Sequence, residues 1–356
     1  MAIPFHSKIR RKLRTLFNVV LGKLLTPKQE TEKLDPEKIK KILLIRLNYR
    51  IGNIIFMTPL IRALEQKLPN ARIDLLVGAS FTKPIVEKIP NIHEVYPVPR
   101  SLLKHPLAFY RFIKMLNQNK YDLIISPTSG SVSANIATFL IQAPYKLGIS
   151  KPNTWLPFNI TVPFPGHTKH EALKPLAVMQ AFSGKHPEYK PYLDIVITKE
   201  EKEKGKALLI EKLGTKEQTS IIVGLFRDAR NEKKISDAWW KDFVKEVQNI
   251  NPDIRFIDIL APHETTALTK NMSHIASKNL RDLAAIFSAL DAFVCADTGP
   301  MHLASASLTP TIALFNATDP SYYGPLGTKD KTVQINEHTL ETTAKICAEH
   351  IRKVAG

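Results

Sequence analysis

The stretch "FVCADTGPMHLASA", residues 293–306, decides how the rest of the chain is read. Asp297 closes an apolar run, and Thr298-Gly299-Pro300 follows it. Either Asp297 is an acid that does chemistry, or it belongs to a turn that cradles an anion. Local physics gives the second reading its content. Thr298 can cap a helix, and Gly299 permits a tight turn and a close backbone approach. Pro300 suits a first helical turn. The free N–H groups and positive dipole end of that helix would suit a diphosphate. His302, on the same turn, can donate to a phosphate or a ribose hydroxyl. A plainer reading also fits: Asp297 and Thr298 only cap the helix, and His302 is a hydrogen-bonded core residue.

Outward from this stretch, strands alternate with helices. "TSIIVGLF", "DIRFIDIL", "DAFVCAD" and "PTIALF" are short apolar runs suited to buried parallel strands. "DAWWKDFVKEVQNI", "RDLAAIFSAL" and "GPMHLASASL" separate them as helices, and "TTAKICAEHIRKVA" closes the chain. The first half repeats the pattern. "KKILLIRL", "ARIDLLVG", "IHEVYPVP" and "YDLIISP" read as strands. "GNIIFMTPLIRALEQKLPN" reads as a turn and helix, "TKPIVEKIP" as a short helix and "HPLAFYRFIKMLNQNK" as a longer one. From about residue 150 to 190 six prolines loosen the pattern, as an inter-domain connection would. The expected fold class is α/β, with two Rossmann-like domains facing across a ligand cleft at the carboxyl ends of their strands. The expected divisions are an extension and linker over residues 1–39 and domains over 40–185 and 186–335. A closing helix takes 336–356.

This alternation bears on Asp297. An aspartic protease needs two carboxylates sharing a proton. The chain holds one Asp-Thr-Gly, and the lobes of such proteases are β-rich, so the protease reading is set aside.

Composition narrows the partners. Of 356 residues, 44% are hydrophobic and 23% charged, an ordinary globular balance. Lys and Arg number 50 against 33 Asp and Glu, a net charge of +17 that attracts polyanions. No aromatic-basic RNA motif, zinc finger or helix-turn-helix accompanies it, so a membrane surface ranks above nucleic acid. Two cysteines, Cys295 and Cys347, exclude a disulfide framework and point to a reducing compartment, the cytoplasm. No run is long enough to span a bilayer. Phe5, Ile9, Leu13, Phe17, Val20 and Leu24 fall on one helical face among six basic residues, and no acid precedes Glu30. Residues 1–25 are expected to lie on an anionic membrane surface. The alternatives are a helix packed on its own protein and a loose basic arm.

These residues carry a resemblance. "CADTGPMHLASASLTPTIALFNATDPSYYGPLG" resembles the C-terminal signature of bacterial lipopolysaccharide heptosyltransferases, glycosyltransferase family nine. "KILLIRLNYRIGNIIFMTPLIRALEQKLPNARIDLLV" is similar to its first strand, glycine turn, Thr-Pro helix and second strand. "KHEALKPLAVMQAF" resembles its His-containing helix between the domains, and "NEKKISDAWWKDFV" its Lys-Arg-Trp-Pro segment, with Ile235-Ser236 in place of Trp-Pro. The match runs from about Lys41 to Gly327.

The resemblance implies a GT-B fold and inverting transfer of a heptose or related sugar. The donor would be a nucleotide sugar, ADP-heptose, and the acceptor a lipopolysaccharide core at the inner face of the inner membrane. It implies a donor site of Asp297, Thr298, Gly299, His302 and Lys233, and an acceptor side with Gly52, Asn53 and His170. By itself Lys233 would read as a solvated lysine beside Arg230 and Lys234. No metal or other cofactor is expected, because helix and lysine donors can hold a leaving diphosphate. One position departs from the family. An Asp usually follows the first-turn glycine as catalytic base, and here that pair is Gly52-Asn53. An amide accepts no proton usefully near neutral pH. Three readings stay open: an inactive binding protein of the same fold, a transferase with its base elsewhere, for instance Glu171 or Asp319, or transfer through a loose, oxocarbenium-like transition state in which the proton leaves late and a weak base suffices.

Overall fold

A computed structural model describes residues 27–30, 33–128, 131–150, 155–184, 191–214 and 220–355. The basic stripe of residues 1–25 lies outside them.

In chain order the first elements are β1 (Lys41–Arg46), α1 (Ile51–Ile55), α2 (Thr58–Lys67), β2 (Arg72–Val77), α3 (Lys83–Val86), β3 (Ile92–Pro97) and α4 (Pro106–Asn117). Then come β4 (Leu123–Ser126), α5 (Val132–Leu140), β5 (Tyr145–Ile149) and β6 (Ile160–Val162). The second series runs α6 (Lys199–Leu213), β7 (Ile221–Phe226), α7 (Asp237–Ile250), β8 (Ile254–Leu260), β9 (His274–Ala276) and α8 (Leu280–Ser288). It continues with β10 (Ala292–Ala296), α9 (Gly299–Ala306), β11 (Thr311–Phe315), α10 (Pro320–Tyr323), β12 (Lys331–Gln334) and α11 (Leu340–Ala355).

Two six-stranded parallel sheets result, ordered β3-β2-β1-β4-β5-β6 and β12-β11-β10-β7-β8-β9. Read from β9 to β12, the second repeats the first, with the strand order reversing at β1/β4 and at β7/β10. Ligands of such sheets gather at the carboxyl ends beside that reversal. The apolar runs become central strands because both faces are covered. In register, Leu44 lies between Leu75 and Ile125, and Val294 between Leu225 and Ile312. All five residues of β10 are buried.

The chain separates into two compact units. One holds the described residues up to Tyr49 and from Pro59 to Gly184; the other holds Arg50–Thr58 and the described residues from Pro191 onward. By contact α1, with Gly52 and Asn53, groups with the second unit. Where a turn and a helix were expected over residues 52–70, the turn is itself a short helix, α1, and the helix is α2. At the break the buried Thr58 hydroxyl accepts from the Asp194 N–H at 3.2 Å.

The helix expected from Lys169 is a turn followed by a 3-10 run, Lys174–Ala181. Pro175 has no N–H to return to the carbonyl of Glu171, so an α-helix running from Lys169 would be kinked or broken there. α5, α6, β5, β6, β9 and β12 carried no assignment from sequence.

In the second unit α7 buries Trp240, Phe243, Val244 and Val247, one helical stripe, and α11 packs on it through Ala344, Cys347, Ala348 and Ile351. Trp239 stacks on Phe243 with centroids 5.2 Å apart. α6 opens with a capping box of Thr198 and Glu201. The Glu201 carboxylate also receives Nε and Nη2 of Arg281, both at 2.7 Å, while Arg281 donates to the carbonyls of Ile195 and Val196. Two nitrogens of one planar group on one carboxylate fix both distance and angle between α6 and α8.

Gly205 makes that approach possible. A Cβ there would lie 2.1 Å from the carbonyl oxygen of Ala285. Gly205→Ala gains about 1 kcal/mol in helix propensity, yet the backbone oxygen cannot swing away as a side chain could. We expect a net loss of about 1–3 kcal/mol, read as a lower urea midpoint with unchanged slope. An unchanged or higher midpoint would show that the helix separation is not fixed here.

Candidate functional site

Three strand ends of the second sheet meet around Asp297. β10 delivers Asp297 itself, 6% exposed. β7 is followed by Arg230–Lys234, where Asn231 takes φ 55° and a short 3-10 turn carries Lys233. β11 is followed by Asn316 and Thr318. Asp297 Oδ2 receives Lys233 Nζ at 2.5 Å and Thr318 Oγ1 at 2.5 Å. Asn316 Nδ2 donates to the Glu232 carbonyl at 2.9 Å and so holds the lysine turn from its other side. The carboxylate is thus the common anchor of two loops. A buried Asp is tolerable because a cation and a hydroxyl satisfy it. The Lys233 side chain is 33% exposed. The Cys295 thiol, two residues upstream, is pushed well above its usual range by burial first and then by Asp297 and Asp330. It is a core thiol and not a nucleophile.

α9 opens at Gly299, with Thr298 as its N-cap residue. The Thr298 side chain makes no capping hydrogen bond, which corrects the capping role expected of it. Nor does Gly299 serve a left-handed turn; its φ is not among the positive ones. Its use is proximity, since a Cβ there would sit 3.0 Å from Ile51 Cγ2. Gly52 is the counterpart on α1: a Cβ would come 2.8 Å from His302 Cδ2. His302, 7% exposed, also meets the Phe56 ring edge-on at 4.6 Å. His302 is therefore one of the contacts between α1 and α9, and Asn53, half-buried, follows Gly52 on α1. First-turn N–H groups have no intrahelical acceptor, and Pro300 leaves one fewer of them.

Residues beyond the expected set lie at the ends of β7 and β8. Arg227 donates from Nε to Asp258 at 3.1 Å, from Nη1 to Asp237 at 2.8 Å and from Nη2 to Glu264 at 3.3 Å. Burial opposes its charge, but the hydrogen bond to Asp258 and the surrounding carboxylates raise its pKa overall. Beside it Asp228, His263 and Glu264 bring donor atoms within 4.8 Å of one another. Sequence reading found no carboxylate pair that looked like a metal site, because Asp228 and Glu264 follow different strands. The Arg227 guanidinium on Glu264 opposes a divalent cation there, and His263 is exposed.

Asp319 caps α10, accepting from the Ser321 N–H at 2.8 Å. Asp330 accepts from Ser305 Oγ, the Thr311 N–H and the Gly327 N–H, closing the Gly324–Gly327 loop, and burial raises its pKa despite those donors.

In the first unit, His170 Nδ1 accepts from the Ala172 N–H at 3.2 Å. Glu171 is ion-paired with Lys174. Arg46, at the carboxyl end of β1, is pulled down to about 10 by burial, with Glu171 acting in the opposite direction. The Glu171 carboxylate, next to His170 in the chain, thus faces both Lys174 and Arg46.

The model of "Glycosyltransferase family 9 (heptosyltransferase)" matches residues 109–351. The chain belongs to this family. It is an α/β glycosyltransferase of the GT-B fold class. Lipopolysaccharide heptosyltransferase 3 of Escherichia coli K12 is 26% identical over 299 residues, 77% of this chain and 82% of that protein. The lipopolysaccharide core heptosyltransferase OpsX of Haemophilus influenzae is 23% identical over 86% of this chain and 87% of its own. Among solved structures, a family nine transferase of Veillonella parvula superposes with a TM-score of 0.73 at 19% identity, over 92% of this chain and 98% of that one. E. coli heptosyltransferase WaaC, solved with ADP, gives 0.70 at 18% identity, over 87% and 99%.

The Gly52–His302 approach is testable. Gly52→Ala should push the imidazole off its seat and cost about 1–3 kcal/mol in thermal unfolding. His302→Ala in the same chain removes the obstruction, so the double variant should be more stable than the sum of the two single losses. Strict additivity would mean that the two residues do not share a contact.

Proposed function

We propose that this glycosyltransferase moves a heptose from ADP-heptose onto a lipopolysaccharide core acceptor, with inversion at the anomeric carbon. The observation that carries the reading is the Lys233–Asp297–Thr318 anchor beside the opening of α9, at the strand reversal of the second sheet. The relatives named lipopolysaccharide heptosyltransferase support the sugar and the acceptor. WaaC, solved with ADP and with ADP-2-deoxy-2-fluoro heptose, supports the donor.

In this reading an acceptor hydroxyl oxygen bonds to the anomeric carbon as the bond to the diphosphate oxygen breaks. The proton passes to a base or to water, and ADP departs. Lys233 and the first N–H groups of α9 receive the negative charge that grows on the leaving diphosphate. Thr298 and Gly299 form the edge of that cradle, and Asp297 holds the lysine in place. His302 acts by keeping α1 against α9, and so sets the position of Asn53. No metal is needed for a leaving group so held. Among the described residues no helix is long and apolar enough to cross a membrane. We place the enzyme at the cytoplasmic face of the inner membrane, where its glycolipid acceptor is made.

Asn53 favours a second reading, a nucleotide-sugar binding protein without turnover, since an amide cannot take the acceptor proton. We prefer transfer with a late proton loss, because general-base help is worth about 10²–10⁴-fold and its absence slows a reaction without ending it. Wild type, Asn53→Ala and Asn53→Asp are to be incubated with ADP-heptose and a heptose-deficient core glycolipid. Wild type should release ADP and add one heptose mass to the acceptor, and Asn53→Ala should be slower. No wild-type transfer, with transfer appearing in Asn53→Asp, would contradict this reading and support the binding protein.

A further inference from the structure

Between Glu94 and Asp122 the chain has no acidic residue, yet it carries Arg100, Lys104, Arg111, Lys114 and Lys120. α4 lies in this span. Its inward side is accounted for: Ile113 and Leu116 are buried in the core of the first unit, and Phe109 and Phe112 pack against that core. Its outward side is not made as a soluble helix makes it. Leu107 is 75% exposed and Tyr110 65% exposed, and Arg111 and Lys114 are exposed beside them. Positions 107, 110, 111 and 114 follow the spacing that puts side chains on one helical face. The apolar character extends past the end of α4. Asn117 Oδ1 accepts from the Gln142 N–H at 2.8 Å, and its Nδ2 donates to the Leu140 carbonyl at 3.4 Å. This brings up the end of α5, where Phe139 and Leu140 are 38% and 39% exposed.

We propose that the outward face of α4, with the end of α5, is a docking surface for an anionic lipid leaflet. A single exposed Leu needs no explanation, but an acid-free segment that pairs exposed Leu and Tyr with Arg and Lys does. Tyr seats its ring at the headgroup level, Leu enters the acyl boundary, and the long basic side chains reach lipid phosphates. A protein partner would meet the same apolar residues, but it would not require every acid to be missing from the span. Attraction to an anionic leaflet does. The surface is distinct from residues 1–25, and it stands on surface chemistry alone, whatever sugar the enzyme transfers.

The test uses the full chain and vesicles of phosphatidylglycerol with phosphatidylethanolamine, beside vesicles of phosphatidylcholine. Arg111→Gln with Lys114→Gln should weaken co-flotation with the anionic vesicles by about 25-fold, from roughly five-fold per basic residue near the surface. Leu107→Ser with Tyr110→Ser should weaken it as well. Both pairs are exposed, so melting should stay unchanged. Lys241→Gln with Lys245→Gln, the same charge loss on the exposed side of α7, should have little effect. A contact readout is available because Cys295 and Cys347 are both buried. Leu107→Cys can be labelled with a polarity-sensitive dye, whose emission should shift to the blue on anionic vesicles only. The proposal is overturned if the α4 variants float as wild type does. It is overturned equally if the dye stays in water while the protein floats, or if the dye shifts only on self-association in the absence of vesicles.

Discussion

The Asp297 carboxylate holds the second unit's loops in register. It is buried at the end of a fully buried strand, and a carboxylate there is stable only if its charge is answered. Lys233 and Thr318 answer it from the ends of β7 and β11, the strands on either side of β10. The sheet order makes this geometry available. Three adjacent parallel strands finish at one edge, so residues far apart in sequence meet at one oxygen. The lysine turn is then held twice, through its side chain to Asp297 and through the Glu232 carbonyl to Asn316. An ammonium so oriented, with a third of its side chain still exposed, needs little rearrangement to meet an anion.

A second constraint is steric. Gly299 and Gly52 let α1 and α9 approach until Ile51 and His302 fill the space that Cβ atoms would take. This explains why a histidine on the first turn of α9 is buried against Phe56 and not displayed to solvent. It also shows why α1 groups with the second unit, although it follows the first strand of the first unit.

Much of this was legible in sequence. Long apolar runs such as "KILLIR" and "AFVCA" read as strands because a parallel strand covered on both faces has no polar alternation to confuse it. Asp297 and Lys233 were both singled out, the second only through the family resemblance, since a lysine beside Arg230 and Lys234 looks solvated. Their direct pairing was not legible, because nothing local in either segment names its partner. Short β6 and β9, of three residues each, offered too little pattern to detect. The break between α1 and α2 falls just before Pro59, which has no N–H to return to the carbonyl of Ile55. The Arg227 network was missed because its acids come from three separate stretches.

In the proposed function, Asp297 acts on an anionic ligand through Lys233. A double-mutant cycle on ADP affinity, measured by titration calorimetry with Lys233→Met, Asp297→Asn and the double variant, tests it most directly. If the carboxylate works by holding the lysine, the two losses overlap and the cycle shows a coupling of about 1 kcal/mol or more. Losses that add to within about 0.5 kcal/mol, or ADP affinity untouched by Lys233→Met, would contradict it.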